Sequence, residues 1–598
     1  MDLSENGSGE KLFLYIKPSQ KMSVHTTLVY SSNNDISQHL NLNLLSSSSL
    51  FDFSAMTVQN GVKWIFFGVI TFLLISSVLP ERILFLLPLS TKSHKILIEP
   101  LINGMARKGH EVTVLTNEKT ENVPNSVTQL LPITSTEFLA DYPDPFENKR
   151  RGGGATFPIQ FIVEGCHKVI QNKTFQSILM EAEGLTQFDL IVMDGFLSNC
   201  LDGFVHASKV PFIIVTSMPA PSYVSERAGN FLPPSIIPVL SFRGYNQPDG
   251  GMNFGERLKN FVHFLLARIY MNFLVLPKLE QVYRDYLGND YPGIKEIEEG
   301  ASMIFMNSHF SMNLPRPLLP AVVEIGGMHC REPKPLKSDV EKFVSKSASP
   351  DGFIYFSVGS LIDLNNAPEE FIQGLFSTFS KLKQRVLIKW KGAQGINKTR
   401  DVPENVWIDD WFSQQDILGH KNIRLFISHG GLLSMQEAVY HAVPVLGIPF
   451  GVDQDTNVHN AVLQGFALKL EIDEVNEKLL HDSITQILED SRFYKNAKRI
   501  SNVFRQRPVP PLDTALFWTE YVMTIMHKGN NTFIQSPSRT MSIFQYYSTD
   551  ILIFFLLLLI IMILVAKNTL KIVYQLFISK DKKLKPAEEN NGIKSKRN

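Results

Sequence analysis

The sequence predicts an α/β protein of two doubly wound domains, each a parallel sheet covered by helices, with one membrane-spanning helix near the C-terminus. Three observations carry this. Apolar runs of strand length alternate with helix-length segments in two separate series, one beginning at Arg82 and one at Phe353, and such alternation builds parallel sheets. A stretch rich in Pro, Lys and Ser, around Pro315 to Ser349, divides the two series. Ile551 to Ala566 is uninterrupted apolar sequence bounded by Asp550 and Lys567.

The 598 residues are enough for two ordinary domains plus extras. Lys plus Arg and Asp plus Glu are equal at 58 each, so no net field recruits nucleic acid or an anionic surface. The three cysteines, Cys166, Cys200 and Cys330, are too few for a disulfide framework, and their spacing gives no zinc site. One bridge in an oxidising compartment stays open.

Residues 1–55 are polar, Ser- and Asn-rich and without sustained period, which predicts a disordered or non-native extension. Met56 opens a signal peptide, residues 56–80, in which Lys63 precedes the apolar run Trp64 to Leu79. The first domain, 81–320, begins with a buried strand from Ile83 to Leu89, the loop Ser90–His94, a helix from Ile96 to Lys108 and a strand from Glu111 to Leu115. His94 therefore falls beyond the carboxyl end of a parallel strand, where open α/β sheets bind ligands. Asp194 ends the strand running from Phe188 and belongs to the same rim. Taken alone, His94 reads as a solvated loop residue and Asp194 as a helix cap. Asn253 to Tyr286 predicts a helix whose stripe Phe261, Phe264, Leu265, Ile269 and Tyr270 belongs to core or to an acceptor pocket. The glycines 152–154 lack a following Gly-Lys, and no G-x-S-x-G occurs, which argues against a Walker loop and an α/β-hydrolase.

The second domain, 321–528, opens with a strand from Phe353 to Val358, the turn Gly359-Ser360 and a strand from Val386 to Trp390. Its centre is the stretch from Trp411 to Asn457. A strand from Ile423 to Ser428, a helix from Leu432 to His441 and a strand from Pro444 to Phe450 enclose the turn His429-Gly430-Gly431. Glycines at a helix N-terminus let a pyrophosphate approach backbone N–H groups without a metal. Trp411 and Gln414 offer a stacking face and an amide for a base edge, Glu437 a carboxylate for ribose hydroxyls, and Asp453 and Gln454 an acceptor and a mixed donor for a sugar.

These residues, at this spacing, resemble the signature of the UDP-glycosyltransferase family, membrane-anchored animal type, with wording most similar to the arthropod branch. The resemblance implies a GT-B fold, two Rossmann-like domains facing a cleft. It implies uracil stacking on Trp411, contact of His429 with the α-phosphate, ribose binding by Glu437 and sugar-hydroxyl binding by Asp453 and Gln454. Gln414, Gly430, Gly431, Ser434 and the Ser360 turn complete the donor site. The pattern of strand, Ser-His loop, helix and RKGHEVTVLT resembles the family's opening and implies that His94 is the general base, with Asp194 as its orienting partner. Ser413 stands where the family has a proline, which predicts a looser turn, and Leu433 stands where many animal members have a phosphate-contacting Asn. Asp453-Gln454-Asp455 has the form of a metal-binding D-x-D, but the glycine turn already accounts for the pyrophosphate, so no metal is expected.

The implied reaction is metal-independent, inverting transfer of a sugar, glucose favoured, from a UDP-sugar to a hydroxyl of a small lipophilic acceptor. Its setting is the conjugation of xenobiotics and endogenous metabolites. The UDP-sugar is a co-substrate, and no other cofactor is implied. A non-catalytic nucleotide-sugar- or lipophile-binding protein on the same fold is the rival. The helix-forming segment 510–529 resembles the family's closing helix, which packs back toward the first domain. A juxtamembrane segment, 529–550, leads to the transmembrane helix 551–566, whose sixteen residues rise about 24 Å. The tail 567–598 carries nine Lys or Arg against three acids, which places it in the cytosol. It ends Lys594-Ser595-Lys596-Arg597-Asn598, resembling a retrieval signal for the endoplasmic reticulum. The body is then lumenal on a single-pass type I protein, and Asn172, Asn397 and Asn530 lie in glycosylation sequons. The sequence does not settle a homo-oligomer, the acceptor or the choice between glucose and glucuronic acid.

Overall fold

The computed structural model describes residues 80–120, 123–140, 142–150, 159–180, 184–196, 198–239, 251–345, 351–526 and 533–584, with three short strands nearer the N-terminus. The chain divides into two units, Met1–Leu79 and Pro80–Asn598. In the first, β1 (Lys11–Ile16), β2 (Thr26–Ser31) and β3 (Leu40–Asn41) pair antiparallel. KLFLYI and TTLVYS are six-residue runs dense in β-branched and aromatic side chains, which suit a pleated strand. Residues 56–79 of the predicted signal peptide lie outside the described residues, as do Asn530 and the tail from 585.

In the second unit, β4 (Arg82–Leu87), β5 (Glu111–Thr116), β6 (Val127–Leu130), β7 (Leu190–Asp194), β8 (Phe212–Thr216), β9 (Met303–Met306) and β10 (Val322–Glu324) form one parallel sheet. Its order is β10-β9-β8-β7-β4-β5-β6. A second parallel sheet contains β11 (Phe353–Ser357), β12 (Arg385–Lys389), β13 (Val406–Asp409), β14 (Ile423–Ser428), β15 (Val445–Gly447) and β16 (Ala467–Lys469), in the order β13-β12-β11-β14-β15-β16. In both sheets the chain winds outward from its first strand and then crosses to that strand's other side. The switch points lie between β4 and β7 and between β11 and β14, where the crossovers leave a crevice at the carboxyl ends.

Both faces of each sheet are covered, so the central strands β7, β8, β9 and β11 are buried along their whole length, and the side chains divide by alternation. Leu84 and Leu86 enter the cluster on one face of the first sheet, and Ile83, Phe85 and Leu87 the cluster on the other. In the second sheet Ile354 and Phe356 face one layer, Phe353 and Tyr355 the other. The helix Pro511–Tyr521 packs against the helix Lys92–Arg107, with Leu516 and Ala515 in a first-domain cluster. A Cβ at Gly104 would lie 2.7 Å from Leu516, so the two helices meet at a residue without a side chain.

Four boundaries differ from the sequence reading. The helix after β4 begins at Lys92, so His94 is in its first turn rather than in a loop, and Pro100 lies inside it. Strand β10 pairs with β9, so the first sheet extends past residue 320, and the inter-domain stretch also contains the helix Ser338–Ser345. Of the predicted apolar stripe on the helix Phe254–Tyr270, Phe264 is buried and, like Tyr270, lines an apolar cavity, while Phe261, Leu265 and Ile269 are exposed. The C-terminal helix runs from Thr549 to Leu584, well beyond 551–566, because Lys567, Asn568 and Thr569 interrupt the hydropathy without breaking the helix. Its segment Thr549–Lys580 is long and apolar enough to cross a membrane.

Candidate active site

The two switch points supply the site. From the first sheet, β7 ends at Asp194 and the helix after β4 presents His94. His94 Nδ1 lies 2.5 Å from Asp194 Oδ2, and both residues are buried. Burial raises the Asp194 carboxyl, but His94, the Ser90 hydroxyl donating at 2.7 Å and the Phe196 N–H donating at 3.0 Å outweigh it, and the net shift is downward. An ionised Asp194 accepts from Nδ1–H, which leaves Nε2 as the ring's acceptor. Nε2 lies 2.7 Å from the Ser217 hydroxyl, which therefore donates to it.

From the second sheet, Gly359 and Ser360 follow β11, and His429, Gly430 and Gly431 follow β14. Gly359 and Gly430 both have φ of +83°, a left-handed conformation that glycine adopts without strain. The space around His429 is equally restrictive. A Cβ at Gly359 would lie 2.6 Å from its ring and one at Gly431 2.5 Å from its Nε2, so the two glycines admit the imidazole between them. Burial, with Lys389 adding to it, pushes the His429 pKa down to about 4, so the ring is neutral at physiological pH. Gly431 caps the helix Leu432–Tyr440, whose first turn lines the cleft with Leu432, Leu433 and Ser434.

Glu437 sits on that helix, buried, and accepts from Gln414 Nε2 at 2.5 Å; the same amide donates to Ser434 Oγ at 2.9 Å. Burial pushes the Glu437 carboxyl up to about 7, against the Gln414 hydrogen bond and the charges of Arg331 and Lys389. Asp453 precedes the helix Gln454–Leu463 and accepts from Asn457 Nδ2 at 2.8 Å. Burial raises its carboxyl, and the hydrogen bond from Asn457 opposes that rise without cancelling it. Gln454 Oε1 accepts from the N–H groups of Phe450 and Gly451 at 2.8 and 3.3 Å, which leaves the amide a donor. Asp455 turns away and meets Lys469 Nζ at 3.2 Å, so the D-x-D carboxylates do not converge.

A cavity of about 310 Å³ gathers His94, Ser360, Trp411, Gln414, His429, Gly431, Ser434, Glu437, Asp453 and Gln454 on one wall or another. Asp194 stands behind His94, and Gly430 beneath the turn, where Asn457 Nδ2 donates to its carbonyl. A second cavity of about 410 Å³, mostly apolar, is walled chiefly by the first domain, is closed on one side by Val452, Asp453, Thr456, Asn457 and Asn460 of the second, and shares Phe196, Val452 and Asp453 with the first cavity. His94 lines the first cavity next to Phe196, one of the three residues the two cavities share, with the ring centres 6.3 Å apart.

Sequence reasoning missed three features. Ser217 comes from the end of β8, and only the register of the sheet brings it to His94. Lys92 Nζ and Lys389 Nζ lie 4.2 and 4.3 Å from the centre of the Trp411 ring, so the expected stacking face carries two ammonium groups, one from each domain. Burial, then the charge of Lys92, pulls the Lys389 pKa down to about 8. The turn at Ser413 is held rather than loosened. Its hydroxyl donates to Asp416 Oδ2 at 2.5 Å, Arg331 Nη1 donates to Oδ1 at 2.6 Å, and Ser413 itself takes a φ of −72°, the angle a proline would impose. Outside the site, Cys166 and Cys200 form a disulfide between the helix Ile159–Gln171 and the turn Asn199–Leu201. Asn172 lies at the junction of that helix with the next, accepting from the Thr174 N–H at 2.8 Å; Asn397 is in the helix Ala393–Thr399.

Comparison with known proteins agrees with this arrangement. The chain is 32% identical over 518 residues to UDP-glucosyltransferase 2 of Dactylopius coccus, covering 84% of this chain and 96% of that one. It is 30% identical over 512 residues to UDP-glucuronosyltransferase 2B19 of Macaca fascicularis, covering 82% and 93%. Among solved structures, the calicheamicin glycosyltransferase CalG4 shares the GT-B fold, with a TM-score of 0.51 at 15% identity over 75% of this chain and 100% of that one. The model of the UDP-glucoronosyl and UDP-glucosyl transferase family matches residues 83–584, and with the paired switch-point sites it follows that the chain belongs to this family and is a UDP-glycosyltransferase.

Proposed function

We propose that the protein transfers a hexose, glucose favoured, from UDP-sugar to a hydroxyl of a small lipophilic acceptor, with inversion at the anomeric carbon and without a metal. The observation that carries the reading is His94, oriented by Asp194 and lining the first cavity beside Phe196, which the apolar second cavity also contacts. The donor occupies the first cavity, with its base toward Trp411 and Gln414, its ribose on Glu437 and its phosphates over the Gly359-Ser360 and His429-Gly430-Gly431 turns. The sugar lies against Asp453 and Gln454. The acceptor fills the apolar cavity and presents its hydroxyl to His94 Nε2 in place of Ser217. His94 takes the hydroxyl proton as that oxygen attacks the anomeric carbon, the carbon–oxygen bond to UDP breaks, and Asp194 stabilises the imidazolium. The charge leaves on the β-phosphate, beside the N–H groups of the helix Leu432–Tyr440.

The setting we propose is conjugation of xenobiotics and metabolites at the endoplasmic reticulum, with the body lumenal and the helix from Thr549 as a single anchor. The Cys166–Cys200 bridge supports an oxidising compartment, in which Asn172, Asn397 and Asn530 meet the glycosylation machinery. Glucose is supported by the similarity to the Dactylopius coccus glucosyltransferase. The test is UDP release by the full chain in microsomes, with UDP-glucose or UDP-glucuronate and a panel of phenols. Release that depends on both acceptor and donor supports transfer and identifies the sugar; acceptor-independent release indicates a hydrolase.

A further inference from the structure

The helix Phe254–Tyr270 continues through the turn Met271–Val275 into Leu276–Leu287, and its two sides do different things. Toward the protein, Phe264, Met271, Val275 and Leu279 line the apolar cavity. Away from it, Phe254, Phe261, Leu265, Leu266, Ile269 and Phe273 are between 42 and 74% exposed. Positions 254, 258, 261 and 265 follow a helical repeat, so this is one continuous apolar stripe, far more than scattered surface hydrophobics. The helix meets the length and hydropathy of a membrane span, yet one side of it walls a cavity and Arg257, Lys259 and Arg268 interrupt it. These are the properties of a helix that lies in an interface rather than crossing it.

The chain's own anchor says what covers the stripe. Just before the membrane-spanning segment, Ser538 Oγ donates to the Gly229 carbonyl at 2.7 Å and Arg539 Nη2 to that of Ala301 at 2.8 Å, and the rings of Tyr546 and Phe231 lie 4.5 Å apart. The loop that holds Gly229 and Phe231 also holds the apolar helix, through Asn260 Nδ2 donating to the carbonyls of Pro234 and Ile237 at 2.6 and 3.0 Å. The start of the anchor and the apolar helix are thus fastened to one segment, and the anchor begins at Thr549, three residues after Tyr546.

We propose that the exposed face of Phe254–Leu287 seats in the membrane leaflet that the anchor enters, so that the wall of the acceptor cavity lies on lipid and acceptors dissolved in the bilayer reach the cavity from it. This rests on the reading of Thr549–Lys580 as a membrane anchor and of the apolar cavity as the acceptor site. The full chain is reconstituted in phosphatidylcholine nanodiscs as Phe261→Cys, Leu265→Cys and Phe273→Cys, each labelled with bimane, with Glu489→Cys on the second domain as reference and the unsubstituted protein as background. Lipid carrying a 5-doxyl chain should quench the three helix positions at least two-fold more than residue 489. Quenching no greater than at 489 overturns the proposal, and label-to-label excimers in place of lipid quenching, seen with pyrene, assign the face to a second copy instead. Quenching needs no turnover, so its failure is distinct from failure of the transferase reading. In a second arm, Leu265→Ser, Leu266→Ser and Ile269→Ser combined should raise KM for nonylphenol supplied in liposomes about ten-fold and leave KM for phenol in water unchanged; an equal effect on both overturns entry from the bilayer.

Discussion

His94 Nδ1 and Asp194 Oδ2 lie 2.5 Å apart although 100 positions separate them in the chain, and the contact exists because β4 and β7 are neighbours at a topological switch point. Asp194→Asn keeps the shape of the pair but removes the charge that holds the imidazolium. It should lower kcat by about a hundred-fold or more, within the range of general-base assistance, while KM for the UDP-sugar stays within about two-fold. A parallel loss of UDP binding by calorimetry would show that Asp194 maintains the fold instead.

Two shifted groups bracket the donor's pH range. Glu437, raised to about 7, must be ionised to accept ribose hydroxyls, so donor binding weakens as pH falls through 7. Lys389, lowered to about 8, must be protonated to act as a cation beside Trp411 and the phosphate turn, so binding weakens as pH rises through 8. KM for the donor should therefore be lowest between about 7 and 8, and Lys389→Met should abolish the alkaline limb while leaving the acidic one. A donor KM that is flat from pH 6 to about 9 would contradict both assignments.

Gly431→Ala places a methyl group 2.5 Å from His429 Nε2 and displaces the ring from between the two glycines. Donor KM should rise at least ten-fold, with a melting temperature lowered by only a few degrees; Gly395→Ala, whose added Cβ meets open space, is the control.

The Cys166–Cys200 bridge ties the helix over the first sheet to the turn after Asp194, closing a span of 34 residues. Removing it as the double serine variant should cost about 4 kcal/mol by the loop-entropy relation, read as a lowered midpoint in denaturant. An unchanged midpoint would show that the two thiols are not joined in the protein.

The second domain was legible because local chemistry dictates its turns. Gly359, Gly430 and Gly431 are demanded by positive φ or by the ring between them, and the strand Ile423–Ser428 has no alternative period. The first domain was legible at its strands and at the helices Lys92–Arg107 and Phe254–Tyr270, but not in the contacts between them. Ser217 reaches His94 through sheet register and Lys92 reaches Trp411 across the cleft, relationships that no spacing in the sequence encodes. The stripe on Phe254–Tyr270 reads as core or acceptor pocket, because amphipathic period alone does not say which partner an apolar face meets; Phe264 faces the apolar cavity, while Phe261, Leu265 and Ile269 face outward. The Cys166–Cys200 pairing likewise depends on a helix and a turn meeting in space.

The central claim is that His94 is the base and the second domain alone holds the donor. The measurement is made on His94→Ala in microsomes, following acceptor-dependent UDP release beside UDP binding by calorimetry. The account predicts a loss of release of about a hundred- to ten-thousand-fold with UDP affinity within about two-fold of the unsubstituted protein. Release that persists within ten-fold of the unsubstituted rate, or UDP affinity lost together with release, would contradict it.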